Sequence, residues 1–386
     1  MNPKLRFKQC DGSDFPDWQS CQLKSLIGYE RPEKYIVKDE ILEVGKTPVL
    51  TANKSFILGF TDEEDNIYSN GEAIVFDDFT CDFKYVDFSF KLKSSAIKIL
   101  TPNTQGLARF FAGALEHLNP KPEGHQRHWI SQTQNIHIFC PCNEEQKRIG
   151  SLFSLLDDKI QVEEKKARSH KLLKRRLLID ILSQKRKVPS SQKLINSEWS
   201  TATINEVATI CGGGTPSTFT PSYWNGDIQW LTPTEINSKF VHKSKRSITE
   251  AGLNNSSAKL LPLGTILLTT RATLGACSIN NFNGPVCTNQ GFQSLIPNNT
   301  IVGEYLYYVI QSPDFQKEMK RKSSGSTFLE ISPSNLKEIR IPLPSLEEQK
   351  IIADFFSLLD TKIELIEKRI ETTKQLKQVL LQQMFV

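Results

Sequence analysis

EEQKRIGSLFSLLDDKIQVEEKKARSHKLLKRRLL, Glu144 to Leu178, is answered by EEQKIIADFFSLLDTKIELIEKRIETTKQLKQVLL, Glu347 to Leu381. The two stretches align without a gap at an offset of 203 (347 − 144), and about half of their positions are identical. Agreement over that length is an internal repeat. In the second copy apolar residues stand at Ile352, Phe356, Leu359, Ile363, Ile366 and Ile370, in alternating steps of four and three. The first copy carries the matching row Ile149, Phe153, Leu156 and Ile160. That spacing is a coiled-coil seam, so both stretches are expected to be long helices packed along these residues. Each has a start signal: Ser345 stands three residues before Glu348, and Asn143 three before Gln146, the spacing of a capping box. Apart from Gly150, neither copy holds Gly or Pro after its first turn. A helix of about 40 residues runs roughly 60 Å, which suits a spacer better than a compact domain.

The repeat divides the chain of 386 residues. A first globular unit is expected over 1–142, a spacer helix over 143–185, a linker over 186–198, a second unit over 199–344 and a second spacer helix over 345–386. A hydrophobic content of 38% and a charged content of 24% describe an ordinary folded protein. Its net charge of +5 matters less than its placement. From Glu144 to Lys187 there are thirteen Lys and Arg against seven Asp and Glu, whereas Glu347 to Val386 has six against seven. The basic excess of the first helix fits either a phosphate-facing surface or a solvated helix face. The polar start MNPKLRFKQC and the want of a run of about 20 apolar residues point to a cytoplasmic protein with no membrane span. The eight scattered cysteines are expected to be free thiols. Cys140 and Cys142 have no second pair or histidine cluster, so no metal site is expected.

Both units read as α+β. In the first, TPVLTANKSFILGF, IYSNGEAIVFDDFT and KYVDFSFKLK are strand-rich, with a hairpin expected at Asn70-Gly71; a helix, GLARFFAGALEHL, and a strand, IHIFCP, follow. The second runs from Trp199 through CGGGTPST, IQWLTPTEI, LPLGTILLTTRATLGACSI, VCTNQGFQSLI, a helical EYLYYVIQSPDFQKEMKR and the loop SSGSTF to IRIPLP. Trp18 pairs with Trp199 and Leu50-Thr51 with Leu231-Thr232 at an offset of 181; Ile130-Ser131 pairs with Ile331-Ser332 at 201, and Ile136, Ile138 and Pro141 with Ile339, Ile341 and Pro344 at 203. The chain is therefore two copies of one module with unlike loops. If the second helix returns along the first, the pair is an antiparallel coiled coil separating two pseudo-two-fold-related units. Successive major-groove openings recur about every 34 Å on one side of DNA, so such a clamp would suit two unlike half-sites with a fixed gap.

With these segments in this order the sequence resembles the specificity subunits of type I restriction-modification systems. The segments that carry the resemblance are IPLPSLEEQKIIADFFSLLDTKIELIEKRI (Ile341 to Ile370), its weaker twin from Ile136, GGGTPST, YWNGDIQWLTPTEI, GSTFLEIS, TPVLTANKSFILGF and FDDFT. PCNEEQ departs from the usual proline-rich lead. The resemblance implies two target recognition domains reading a bipartite, asymmetric double-stranded DNA target. It also implies a scaffold for two methyltransferase (modification) subunits and for restriction/translocase subunits. The complex would then methylate adenine N6 and cut DNA at the expense of ATP, while this chain catalyses nothing. S-adenosylmethionine, ATP and Mg are implied on the partners, with no cofactor in this chain.

The motifs agree with a non-catalytic role. No Asn/Asp-Pro-Pro-aromatic motif for a flipped adenine occurs, and no P-loop pattern. Base edges are read by Arg, Lys, Asn, Gln, Ser and Thr. Loops rich in these place the expected DNA contacts at Thr51, Asn53, Lys54 and Ser55, and at Arg127 and His128, in the first unit. In the second they fall at Thr215 and Ser217, Arg271 and Thr273, Asn289 and Gln290, and Ser324, Ser326 and Thr327. Merely polar surface is the alternative for each. Gly212 to Gly214 is expected to be a tight turn rather than a phosphate cradle, and Trp129, Trp224 and Trp230 are expected in cores. Two rival readings remain: a coiled-coil adaptor without DNA contact, and a stand-alone nuclease.

Overall fold

Ala73 to Asp77 are all buried, and their alternation shows how the first part of the chain is layered. Ile74 and Phe76 enter one apolar cluster, Ala73 and Val75 another, as a strand covered on both faces requires. The structure, a computed structural model, describes residues 2–52, 55–124, 126–188, 198–271, 273–325 and 329–386. It divides into two units, one of residues up to Lys165 together with Ile366–Val386, the other of Lys166–Leu365.

The first unit opens with β1 (Gln19–Gln22), α1 (Leu23–Leu26), β2 (Ile27–Glu30), β3 (Thr47–Leu50) and β4 (Ile57–Thr61). It continues with β5 (Ala73–Asp77), β6 (Phe83–Val86), β7 (Lys91–Leu92), β8 (Ile97–Pro102), α2 (Ala108–Leu118), α3 (His128–Ser131) and β9 (His137–Cys140) before α4 (Asn143–Leu182). An antiparallel sheet has the order β2-β8-β5-β6, a second sheet the order β4-β3-β7 with β3 and β7 parallel, and β1 pairs with β9. One face of the first sheet packs with Trp18, α2, Trp129, and Ile149 and Phe153 of α4; Met384 and Phe385, from the other end of the chain, complete that core.

The second unit carries β10 (Ser200–Thr203), α5 (Ile204–Val207), β11 (Ala208–Gly212), β12 (Trp224–Leu231), β13 (Phe240–Val241), β14 (Arg246–Ile248) and α6 (Glu250–Asn254). Next come β15 (Ile266–Leu268), β16 (Cys277–Asn280), β17 (Val286–Thr288), β18 (Gln293–Pro297), α7 (Gly303–Gln311), α8 (Pro313–Arg321), α9 (Pro333–Lys337) and β19 (Arg340–Leu343), ahead of α10 (Leu346–Met384). Its sheets are β11-β18-β15-β16-β13, β14-β12-β17 and β10-β19. Ile266 and Leu268 face the helical side with Tyr305, Tyr308 and Phe356, whereas Leu267 faces the opposite cluster.

Strand by strand, the two units share one plan. β1 with β9 matches β10 with β19, and β2-β8-β5-β6 matches β11-β18-β15-β16. The parallel pair β3 and β7 matches β12 and β17, down to register: Leu50 faces Leu92 as Leu231 faces Thr288. β13, α6 and α8 are additions of the second unit.

The long helices lie antiparallel within each unit. In the first, Asp157 pairs with Lys377 at 2.8 Å and, further up α4, Glu163 with Arg369 at 3.0 Å and Glu164 with Lys374 at 2.7 Å, both at lower α10 numbers, so the helices run in opposite directions. In the second, Lys174 pairs with Asp360 at 2.5 Å, and Leu177, Leu178 and Ile181 share a cluster with Ile352 and Phe356. Ile149, Phe153, Leu156, Ile352, Phe356, Ile363 and Ile366 are buried, as the seam predicts, while Ile160, Leu359 and Ile370 are partly covered. The first turns of each seam differ from expectation in packing as much into a globular core as along the other helix. Further along, the same spacing reaches buried Glu163 and Thr373, so the seam turns polar. Gln146 and Gln349, at the 203 offset, donate alike to Pro141 and Pro344 carbonyls.

Three expectations need correction. Asn143 lies inside α4, whose first turn closes on the Cys142 carbonyl; Ser345 does cap α10 through Glu348 N–H. Gly71 has a positive φ of 91°, yet the flanking segments do not pair: Tyr68 bonds Phe90, and β5 hairpins with β6. The units also absorb the helices that the expected boundaries set apart, because the end of α10 is needed to close the first core. No helix among the described residues is long and apolar enough to cross a membrane.

Candidate nucleic-acid interface

In the second unit four polar loops, far apart in sequence, are tied edge to edge. Gly214 N–H donates to Thr288 O at 2.8 Å, and Thr215 Oγ1 donates to Gln290 Oε1. Thr270 N–H donates to Gly291 O at 2.8 Å, and Arg271 Nε meets Glu330 Oε1 at 2.6 Å. Glu330 in turn exchanges both backbone bonds with Ser324. The bonds join the loops after β11, β15, β17 and α8 into one polar surface. Ser217, Arg271, Thr273, Gln290 and Ser324 are exposed there, Thr215 and Asn289 partly so. Asn289 supports the set: its N–H donates to Leu231 O, and its Oδ1 accepts from Gly291 N–H. Ser326 and Thr327 lie outside the described residues.

The triple glycine is not the expected turn. None of Gly212, Gly213 and Gly214 has a positive φ; Gly212 ends β11, and a Cβ on Gly213 would stand 2.1 Å from Asn289 O, one on Gly214 2.3 Å from Ala258 N. Glycine is needed because backbones cross at contact distance. With Gly214 N–H already committed to Thr288, the run is not an open phosphate nest either.

Beneath these loops, the Trp230 indole donates to Gly214 O at 2.9 Å and that of Trp224 to Ser217 O at 3.0 Å. Both tryptophans are buried, as expected, and so is Trp129. They also position the loop surface, which sequence reasoning missed. Asn225, Gly226 and Asp227, which include the NG of YWNGDIQW, bulge out of β12 between Trp224 and Ile228, both of which pair with Ile248, with Asn225 at φ 62° and a Gly226 Cβ 2.6 Å from Thr249 Cα; the extra residues re-aim the strand. Arg246 lies over this tryptophan pair and was not among the expected contacts; the only sequence signal was the basic run Lys243 to Arg246. Burial pushes Cys287 up to about 12 and raises Cys211 against the pull of Lys259, so both thiols stay protonated near neutral pH.

In the first unit the expected contacts fall on two separate loops. Thr51 N–H closes the β3–β4 connection on Phe56 O at 3.0 Å, leaving Ser55 exposed; Asn53 and Lys54 lie outside the described residues. Arg127 is exposed at the start of α3. His128 is a correction: it is fully buried, its Nε2 accepts from Glu123 N–H at 2.8 Å, and its Nδ1 is 3.0 Å from Asp78 O. With both ring nitrogens spent on main chain, it builds the loop that presents Arg127. The FDDFT motif serves the same end. Asp77 Oδ1 accepts from Phe79 and Thr80 N–H, and Asp78 Oδ1 accepts from Trp129 N–H. Gly124 and Gly325, 201 apart, both have positive φ, 75° and 109°.

Residues 16–169 and 196–375 match the family model described as type I restriction modification DNA specificity domain. The EcoR124I/EcoR124II specificity subunit of Escherichia coli is 32% identical over 360 residues, 88% of this chain and 86% of that protein. The MjaIX specificity subunit of Methanocaldococcus jannaschii is 40% identical over 195 residues, 50% of this chain and 45% of that protein. Among solved structures, a type I restriction-modification S subunit from M. genitalium superposes with a TM-score of 0.68 at 17% identity, covering 100% of this chain and 99% of that one.

Proposed function

This chain belongs to the type I restriction-modification DNA specificity family, and from that premise we propose that each unit reads one half of a bipartite, asymmetric DNA target while the long helices carry the catalytic subunits. The observation that carries the reading is one strand plan, repeated in register, bearing unlike loops. A shared frame with different polar edges is what two readers of different base sequences need. The contacts proposed are Thr51, Asn53, Lys54, Ser55 and Arg127 in the first unit. In the second they are Thr215, Ser217, Arg271, Thr273, Asn289, Gln290, Ser324, Ser326 and Thr327. Arg271 would exchange Glu330 for a base or phosphate.

Docking of partners is supported by apolar residues that the helices leave in solvent. In the first unit these are Leu155, at 67% exposure, Val162, Leu376 and Val379; in the second, Leu358, at 72%, Leu365, Leu172 and Leu173. Leu155 and Leu358, Val162 and Leu365, and Leu173 and Leu376 are each 203 apart, so each unit offers an equivalent apolar row. Two equivalent rows suit two copies of one partner, the methyltransferase subunit, and exposed rows of this kind mark protein contacts. S-adenosylmethionine, ATP and Mg belong, in this reading, to partner subunits, restriction/translocase subunits among them.

The test is adenine-methylation mapping in cells with and without this chain, its cognate methyltransferase present in both. A two-part, gapped motif that vanishes with the chain supports the reading; methylation unchanged by its removal refutes it. A gel shift of duplex DNA that weakens steeply with salt separates it from an adaptor that never touches DNA.

A further inference from the structure

Arg246 begins β14 opposite Trp230. Its guanidinium carbon sits 3.6 Å from the Trp224 ring centroid and 5.3 Å from that of Trp230. The two rings meet edge to face, at 5.1 Å and 90°. Both indoles are locked from behind by Ser217 O and Gly214 O, so the platform cannot drift relative to the loop surface. The residue is exposed, and no hydrogen bond or ion pair to a described residue occupies its N–H groups. Most arginines near this surface are spent, Arg271 on Glu330 and Arg321 on Glu318. Arg246 keeps a planar fork of donors, held in one plane and facing solvent.

We propose that Arg246 is a specificity-determining residue that reads a guanine edge in the half-site taken by the second unit, an assignment that rests on the function proposed above. Stacking fixes the plane of the fork before DNA arrives, which lowers the entropy cost of a bidentate contact. Guanine O6 and N7 present the matching pair of acceptors in the major groove. A phosphate makes no such demand on orientation, and Lys243 and Lys245, exposed on the same segment beside a hollow of about 650 Å³, suit it better. The first unit has no counterpart. Where Trp230 faces Arg246, register puts Val49 opposite Gly59, so the guanine belongs to one half-site only.

The experiment uses the full chain assembled with its cognate methyltransferase, as wild type, R246K and R246A. Methylation motifs are mapped, and affinity for the mapped duplex is measured across a salt series. R246K keeps the charge and removes the fork, so it decides the matter if R246A fails to fold. Both variants are expected to lose about 10- to 100-fold discrimination at one G·C pair of one half-site, with the other half unchanged and the salt slope retained. An unchanged motif in R246K overturns the assignment. So does uniform weakening in R246A with the slope reduced by about one, the mark of a phosphate contact. If the wild-type complex itself methylates no defined motif, the reader function fails and the assignment goes with it.

Discussion

Phe385, one residue from the end of the chain, is only 6% exposed, and with Met384 it closes the core of a unit whose other buried members lie more than 200 positions earlier. Its ring centroid is 5.3 Å from that of Phe110, 5.8 Å from Phe153, 6.1 Å from His117 and 6.4 Å from Trp18. α2 makes room for it at Gly113, where a Cβ would stand 2.9 Å from the ring. Truncation of a buried phenylalanine to alanine costs about 3–5 kcal/mol. Met384, Leu380 and Leu381 remain beside the vacated site, so F385A is expected at the low end, about 3 kcal/mol. In a unit of this size that lowers the melting midpoint by roughly 6–12 °C. Hydrogen exchange followed by mass spectrometry would localise the loss: amides of α2 and the start of α4 should open faster, while β15, β16 and α7 keep their protection. F385L, which preserves apolar volume, should cost less than about 1.5 kcal/mol. A cost for F385A within about 0.5 kcal/mol of zero, or a loss confined to the second unit, would refute the claim that the far end of the chain holds the first core together.

Three further outcomes are expected. Deleting 159–165 and 362–368 together removes one heptad from each long helix while sparing the Asp157–Lys377 and Asp360–Lys174 pairs; each helix shortens by about 10 Å, with its azimuth kept to about 20°. The gap in the mapped motif should shrink by roughly two to three base pairs, and an unaltered gap would remove the helices as the ruler. Replacing Thr215 and Gln290 with alanine should alter one half-site alone; changes in both halves would contradict separate readers. Glu63 is pushed up by burial, but the Asp39 N–H, the Lys91 ammonium and the Lys38 N–H more than reverse this and hold it at about 2, below an ordinary value of 4.5. Its contribution to stability is therefore complete above about pH 4.5 and lost as pH falls through about 2, so melts in that window should show E63Q losing less than wild type on acidification, and equal losses would count against the pairing with Lys91.

The helices and the duplication were legible because a seam repeats its chemistry every three or four residues, and Ile149, Phe153, Ile352 and Phe356 did so twice. The strand plan was less so. Asn70-Gly71 carries a hairpin's residues, yet β5 finds better partners in β6 and β8, because only there can both of its faces be buried. Gly212 to Gly214 shows the same limit: composition announces glycine's freedom, but the reason here is the close approach of the backbone at Asn289 and Ala258, a contact that no local pattern contains. His128 was taken for a reader by residue type, and its burial under Asp78 depends on a residue fifty positions away. The polar loops were picked out because Thr, Asn, Gln and Arg cluster in them; that those of the second unit share a surface depends on pairings between segments as distant as Gly214 and Thr288.

The 203-residue offset carries a further consequence once the ion pairs are known. Asp157 and Asp360 are equivalent positions in the repeat, and so are Lys174 and Lys377. Each aspartate takes its lysine from the other copy, Asp157 from Lys377 and Asp360 from Lys174, while its second oxygen is held from its own copy, by Arg109 and by Tyr308 Oη respectively. Each unit thus contains the same contact with the roles of the helices exchanged, the reciprocity expected when two copies of a module complete one another. A half-chain cut between the modules would leave each aspartate without its lysine, and the first core without Phe385. The polar loops take no part in either clasp, so substitutions there leave the frame intact. The frame and the loop surface are thus built from separate contacts, and that separation follows from which copy supplies each lysine.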